Sequence, residues 1–182
     1  MKLNLGCGNS KLEGYINIDC DETVKPDQVI NICSFLPWET DSIEKILFLH
    51  TIEHLEKRLY PTIFSELHRI LQPDGLLILA YPEFEKCARN WLENTHGKRD
   101  FWEMTIYGRQ SCPSDFHVSI MNTVEIKDML DRTGFKNIQS REEIAAPYNT
   151  IVECQKGNPL PRYEEILDKG IFGDKHGNSA RI

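Results

Sequence analysis

The sequence lacks the features that mark several broad classes of protein. None of its apolar runs approaches the ~20 residues of a membrane-spanning helix. It has no cluster of Lys and Arg beyond pairs such as Lys57-Arg58 and Lys98-Arg99, and its net charge is −7. Nucleic-acid-binding proteins usually carry a basic patch. We therefore expect neither a membrane nor a nucleic acid to be a partner.

The six cysteines form no CxxC pair and no group with histidine at the spacing of metal ligands. They are Cys7, Cys20, Cys33, Cys87, Cys112 and Cys154. The first three fall in or beside predicted strands, where a free thiol acts as a small hydrophobic side chain. Since Met1 is followed almost at once by the first predicted strand, we expect no secretion signal, reduced thiols and a cytoplasmic location.

Apolar periodicity predicts that strands and helices alternate along the chain. Strands are predicted over residues 2–5, 15–19, 28–32, 45–49 and 76–80, and helices over residues 59–71, 84–92 and 122–134. Two later strands, over residues 135–142 and 148–154, would form an antiparallel pair at the sheet edge. This order is typical of an α/β protein with a doubly wound, mostly parallel sheet. Residues 94–121 have no clean period, which is typical of a functional or mobile segment.

The length of 182 residues suits a single domain with one well-buried core. We predict that residues 1–156 form this domain. Residues 157–182 contain two prolines and a Gly-rich polar end, so we expect a surface tail that partly frays. One short helical piece is predicted within this tail, over residues 163–167.

The first strand leads straight into Gly6-Cys7-Gly8, and the second strand ends on Asp19. Only nine residues separate these strands, fewer than the dozen or more of a usual parallel crossover. The first helix is therefore reduced or absent. Glycines let a backbone come close to a ligand, and an acid at the next strand tip can bind ribose hydroxyls. The pattern indicates a nucleotide-like cofactor, or else a glycine turn that merely links two strands.

Five stretches in sequence order together resemble the S-adenosylmethionine (SAM)-dependent methyltransferases with a Rossmann-like sheet. They are Leu3-Asn4-Leu5-Gly6-Cys7-Gly8, Gly14-Tyr15-Ile16-Asn17-Ile18-Asp19, Leu36-Pro37-Trp38, His50-Thr51-Ile52-Glu53-His54-Leu55 and His68-Arg69-Ile70-Leu71-Gln72-Pro73-Asp74-Gly75. The resemblance implies a small methyltransferase, type 11-like, with SAM as its cofactor. It differs from the family in Ser10, where a third glycine is usual, and in Asp74, where the family has glycine.

The resemblance also implies roles for individual residues. The backbone of four residues would run close to the methionine part of SAM: Leu5, Gly6, Cys7 and Gly8. Asp19 would bind the ribose. Asn31 and Ile32 would lie near the adenine. His50 would lie under the cofactor, at the mouth of the substrate site.

Methyl transfer from a sulfonium is an in-line displacement that requires no metal, and it needs a base only for a weakly acidic acceptor. The candidate catalytic residues are His54, His117 and Tyr107, with His50 as a further base and Asp115 as an orienting group. Glu53 is either an acid at a helix N-terminus or a ligand-binding group. His68 and His96 are expected in solvent, and His176 in the tail.

For the acceptor we hypothesise a small or carbohydrate-like molecule that is methylated on oxygen, because the chain is acidic and the segment over the site is small. Two other classes stay open. One is a SAM-binding or scaffold protein without catalysis, and the other is an NAD(P)-linked oxidoreductase on the same kind of sheet. The oligomeric state is also open, with a homodimer as one option.

Overall fold

The computed structural model describes residues 1–158, apart from the side chains of His96 and Pro113. The predicted tail and its short helix therefore lie almost wholly outside the described residues. Within residues 1–158 the strands are β1 (Lys2–Leu5), β2 (Ile16–Asp19), β3 (Gln28–Val29), β4 (Ile43–Leu49), β5 (Leu71–Pro82), β6 (Phe135–Glu142) and β7 (Asn149–Lys156). The helices are α1 (Tyr60–Ile70), α2 (Phe84–Leu92), α3 (Arg99–Tyr107) and α4 (Thr123–Thr133).

All these strands form one sheet in the order β3-β2-β1-β4-β5-β7-β6. The first five of them in the chain pair in parallel, and β7 pairs antiparallel with both β5 and β6. This confirms the predicted Rossmann-like sheet with an antiparallel edge. Because the parallel strands point the same way, the ends of β1, β2 and β4 meet at one edge of the sheet, where such proteins bind ligands. In the described chain, no helix lies between β1 and β2.

The core lies where apolar strands meet helices α1 and α4. Ile63, Leu67 and Ile70 line the inner face of α1 and are at most 3% exposed. The start of α4 follows its predicted cap, since the Asn122 side chain accepts hydrogen bonds from the amides of Val124 and Glu125. No helix in the described part of the chain has the length and apolar character needed to cross a membrane.

Several predicted boundaries differ from the structure. β3 ends at Val29 instead of residue 32, whereas β5 starts at Leu71 and runs through the Pro73-Asp74-Gly75 turn that was expected to stop the preceding helix. The segment over residues 94–121 contains a helix, α3, that apolar periodicity did not reveal. Cys20 is exposed and is not a buried small hydrophobe.

The prediction that His68 lies in solvent is wrong, because its side chain is buried between α1 and the last strands. The residue is 2% exposed, and its Nε2 lies 3.1 Å from the carbonyl oxygen of Gly157. Its ring meets the Phe135 ring edge-on, with centroids 5.2 Å apart. Burial lowers the pKa of His68, and the charge of Lys156 acts in the same direction.

Lowering the pH from about 7.5 to about 5.5 should reduce the free energy of unfolding, in part through His68. Its folded-state pKa lies below the ordinary value of 6.5, so the unfolded chain binds the extra proton first. The stability that neutral His68 supplies is therefore present above the unfolded pKa and is lost as the pH falls below it. Hydrogen bonds with the backbone at Gly157 and Gly134 oppose this lowering of the pKa, and the charge of Asp41 opposes it less. Chemical denaturation at several pH values should show a shallower pH dependence for His68→Phe; equal slopes in both proteins would contradict the prediction.

Candidate functional site

The glycine turn after β1 holds two residues in the left-handed region of backbone space. Gly6 has φ +65° and Gly8 has φ +47°, conformations that suit glycine. Between them, the amide of Cys7 donates to the carbonyl of Ile18 at 2.9 Å, which extends the pairing of β1 with β2. The turn therefore lies over the ends of both strands, as predicted.

The two glycines face different surroundings. A Cβ on Gly6 would lie 2.3 Å from Cγ2 and Oγ1 of Thr51, which follows β4. The Thr51 hydroxyl in turn donates to the carbonyl of Leu49 at 3.0 Å. A Cβ on Gly8 would meet no atom within 4 Å. Gly6 is thus needed for packing inside the protein, whereas the backbone at Gly8 is open on the side where a side chain would project.

Asp19 links the end of β2 to the glycine turn. Its Oδ2 accepts a hydrogen bond from the Gly8 amide at 2.8 Å, and its Oδ1 accepts one from the Asp21 amide at 3.0 Å. Each carboxylate oxygen has lone pairs to spare for a ligand hydroxyl. The same carboxylate can therefore shape the turn and bind a sugar beside it.

A buried amide holds the rest of the loop between β1 and β2. The Asn17 Oδ1 accepts hydrogen bonds from the Leu12 amide at 2.8 Å and from the Asn4 side chain at 3.0 Å. The Asn4 Nδ2 also reaches the carbonyl of Ser10 at 3.0 Å. On the other side of Asn17, its side-chain nitrogen lies 2.9 Å from Oδ2 of Asp27. These contacts fix a loop that has no helix to support it.

The other residues of the predicted cofactor set differ in what they expose. Leu5 and Cys7 are buried in the core, so they present mainly backbone to a ligand at the turn. Ile32 is also buried, at 9% exposure. Asn31 is exposed, and its Oδ1 accepts a hydrogen bond from the Cys33 amide at 3.0 Å.

His50 follows β4 with a left-handed backbone, at φ +50°. Its ring lies between two carboxylates: Nδ1 is 3.7 Å from Oε1 of Glu53, and Nε2 is 3.8 Å from Oε2 of Glu143. Hydrogen bonding with Glu53 raises the pKa of His50, against the opposing effect of burial. His50 thus lies at the edge of the sheet where β4 ends, beside a buried acid.

Glu53, His54 and His117 form a compact polar cluster next to that edge. The ring centroids of the two histidines lie 4.7 Å apart, nearly perpendicular to each other. The Nδ1 of His54 lies 3.0 Å from the carbonyl of Phe116. Burial lowers the pKa of His117, and the charge of Glu53 acts in the opposite direction.

Glu53 is 1% exposed, although it is a carboxylic acid. Its Oε2 has no hydrogen-bond partner among the described residues. Sequence reasoning left Glu53 with two equal interpretations and did not place it among the catalytic residues. The available signal was its position beside His54 just after a buried strand.

A small pocket opens beside this cluster. It is lined by Glu53, Pro82, Phe84, Cys87, Thr105, Ile106, His117, Ser119, Ile120 and Met121. The volume open to the centre of a water-sized sphere is about 20 Å³, enough for one water molecule or a comparably small group. Glu53 and His117 therefore present polar atoms to a confined, largely apolar space.

Of the three candidate catalytic residues, the structure brings His54 and His117 together, but it leaves the Tyr107 side chain largely exposed. Tyr107 ends α3 and is 59% exposed. Its carbonyl accepts a hydrogen bond from the His117 amide at 3.0 Å. Tyr107 is thus joined to the cluster through its main chain.

Comparison with known proteins identifies the family. The model of a methyltransferase domain family matches residues 14–140, more than half of the chain. The chain therefore belongs to this methyltransferase family, which confirms the predicted class of enzyme and, with it, SAM as the methyl donor. No protein of curated function matches the sequence significantly.

Solved structures share the fold at low sequence identity. A SAM-dependent methyltransferase from Archaeoglobus fulgidus is 13% identical with a TM-score of 0.64, and the match covers 85% of each chain. One from Methanosarcina mazei is 15% identical with a TM-score of 0.59, over 85% of this chain and 91% of that one. The CurJ carbon methyltransferase is 16% identical with a TM-score of 0.62, over 86% of this chain. The present chain spans only 48% of that CurJ chain.

Proposed function

We propose that this methyltransferase transfers the methyl group of SAM to a hydroxyl oxygen of a small or carbohydrate-like acceptor. The observation that carries the proposal is the pairing of an open glycine turn, at the ends of β1 and β2, with the Glu53–His54–His117 cluster after β4. The first would hold the donor and the second would receive the acceptor. The narrow pocket beside Glu53 favours a small reacting group.

The cofactor supplies the reactive sulfonium, and the protein supplies orientation and exclusion of water. The acceptor oxygen forms a bond to the methyl carbon while the carbon–sulfur bond breaks, and sulfur keeps that electron pair. The hydroxyl proton must leave as the new bond forms. Glu53 and His117 offer acceptor atoms at the pocket, so they can orient the hydroxyl and receive its proton directly or through water.

Removing either acceptor group should slow transfer and leave donor binding intact. We expect Glu53→Gln and His117→Gln to lower kcat roughly 100-fold, the usual scale for a positioned proton acceptor. The dissociation constant for S-adenosylhomocysteine, measured by calorimetry, should change less than about threefold in both variants. Glu56→Gln, which alters an exposed acid three residues from Glu53, is the matched control and should keep full activity.

The acceptor class is tested with methyl-labelled SAM and a panel of small alcohols, phenols, glycosides, amines and a polynucleotide. Transfer to a hydroxyl compound would support the proposal. Transfer to amines alone would overturn the choice of oxygen, and transfer to the polynucleotide would overturn the choice of a small acceptor. Binding of SAM without transfer to any acceptor would favour the non-catalytic alternative.

A further inference from the structure

The Glu53–His54–His117 cluster has the composition of a metal site. One ligand atom from each residue, a carboxylate oxygen and two ring nitrogens, lies within 4.8 Å of the other two. Around one ion with bonds of about 2 Å, ligand atoms lie roughly 3 to 4 Å apart. Side-chain rotations that move these atoms by about 1 Å would therefore suffice to close the set.

The buried carboxylate is the independent sign that something binds here. A carboxylate that is almost fully removed from water is costly unless it is paired or coordinates a metal. The Oε2 of Glu53 has no hydrogen-bond partner in the described chain, and the nearest cationic candidate for Oε1 is His50, at 3.7 Å. A cation at the cluster would give this Oε2 atom the partner that it lacks among the described residues.

His54 is oriented as a metal-ligating histidine usually is. A ligating histidine commonly donates its other ring N–H to a carbonyl or carboxylate, which fixes the tautomer. The contact between Nδ1 of His54 and the Phe116 carbonyl, at 3.0 Å, does this and leaves Nε2 as the free lone pair. Such a contact also limits rotation of the ring before any ion arrives.

The backbone brings the two halves of the cluster together. The carbonyl of Glu53 accepts hydrogen bonds from the amides of Val118 at 3.0 Å and Ser119 at 3.2 Å. His117 is thereby held opposite Glu53 and His54, although 62 residues separate the two histidines along the chain. The site is therefore largely formed by folding alone.

We propose that this cluster binds one divalent transition-metal ion of the zinc class through Glu53, His54 and His117. Two imidazoles and one carboxylate suit such ions and leave coordination positions open. The adjoining pocket can hold one water-sized group, so an open position can face it. This proposal departs from the expectation that the reaction needs no metal.

The role of the ion rests on the proposed function, whereas its binding does not. A hydroxyl oxygen of the acceptor would coordinate to the ion, which makes the hydroxyl more acidic. Its proton would leave to water instead of to Glu53 or His117. The oxygen would then lie next to the donor methyl group, and the cluster would direct its lone pair toward the methyl carbon.

The test measures metal uptake by chelator-stripped protein. Calorimetry with Zn²⁺ and visible spectroscopy with Co²⁺ should show one site per chain. Glu53→Gln and His117→Gln should each weaken uptake by roughly 100-fold, because each removes a direct ligand. Glu56→Gln should bind the ions as the parent does. Binding of S-adenosylhomocysteine by each variant verifies that it is folded.

Several results would overturn the inference. They are no uptake by the parent, uptake that survives both substitutions, and a sulfur-to-cobalt charge-transfer band, which would assign the ion to cysteines. Full methyl transfer in the presence of a chelator would overturn the role of the ion while leaving the proposed transfer intact. If the well-folded parent protein did not bind SAM, the proposed function would be contradicted. The metal titration would still decide separately whether the cluster binds an ion.

Discussion

Replacing Asp19 with alanine should weaken the binding of S-adenosylhomocysteine at least about 100-fold, since two hydrogen bonds to a charged group are together worth about 3 kcal/mol or more. The carboxylate accepts hydrogen bonds from the amides of Gly8 and Asp21, and we propose that it also binds the ribose hydroxyls. Its removal would both release the glycine turn and delete the sugar ligand. Isothermal titration calorimetry measures the change directly.

The matched control is Asp128→Ala, which removes an acid from α4 that is paired with Arg132. This variant should bind S-adenosylhomocysteine with the affinity of the parent. Circular dichroism should show that both variants keep the parent fold. If Asp19→Ala bound the ligand as tightly as the parent, the assignment of Asp19 to the sugar would be wrong.

Gly6→Ala should lower the free energy of unfolding by about 3 kcal/mol, through overpacking and the left-handed backbone together. The added Cβ would lie 2.3 Å from the Thr51 side chain, at the junction of β1 and β4. Both strands belong to the middle of the sheet, so neither can move freely away. Urea denaturation followed by tryptophan fluorescence measures the loss.

Gly8→Ala is the informative partner of this substitution. No atom lies within 4 Å of the added Cβ, so only the backbone cost of about 1 kcal/mol should appear in stability. Ligand affinity should nevertheless fall, because the added methyl group projects where the cofactor is proposed to lie.

The double variant Gly6→Ala/Thr51→Gly should regain part of the stability that Gly6→Ala loses, because it removes the side chain that the added Cβ meets. Equal destabilisation by the two glycine substitutions would contradict this division of roles.

The sequence predicted the sheet well because its signals are local. Alternation and apolar runs marked the strands, and the cap at Asn122 and the glycine at 134 marked α4. The helix α3 was missed because its residues show no clear apolar stripe. Two of its aromatic side chains, Phe101 and Trp102, instead pack edge-on against Tyr148, a residue far along the chain beyond α4. His68 was misplaced for the same reason: its burial depends on Phe135 and Gly157.

The candidate site likewise has a part that local sequence predicts and a part that only folding brings together. The glycine turn and Asp19 were predicted because a short stretch contains them, along with the spacing that joins them. The cluster was only partly predicted, since Glu53 and His117 meet through backbone hydrogen bonds between distant segments. Individual histidines could be proposed from the sequence, but their shared geometry and the unpaired oxygen of Glu53 required coordinates.

The side chains of Asn17 and Asn4 support the loop between β1 and β2 in place of a helix. In most sheets of this kind a helix separates the first two strands, whereas here two buried side chains, Asn17 at Leu12 and Asn4 at Ser10, hold the backbone of the connecting loop. The Leu12 amide hydrogen, which binds the Asn17 side chain, should therefore exchange with solvent more slowly than an amide in an unsupported loop. Because the loop loses its conformational entropy when the protein folds, ligand binding does not have to order it and is stronger for that reason.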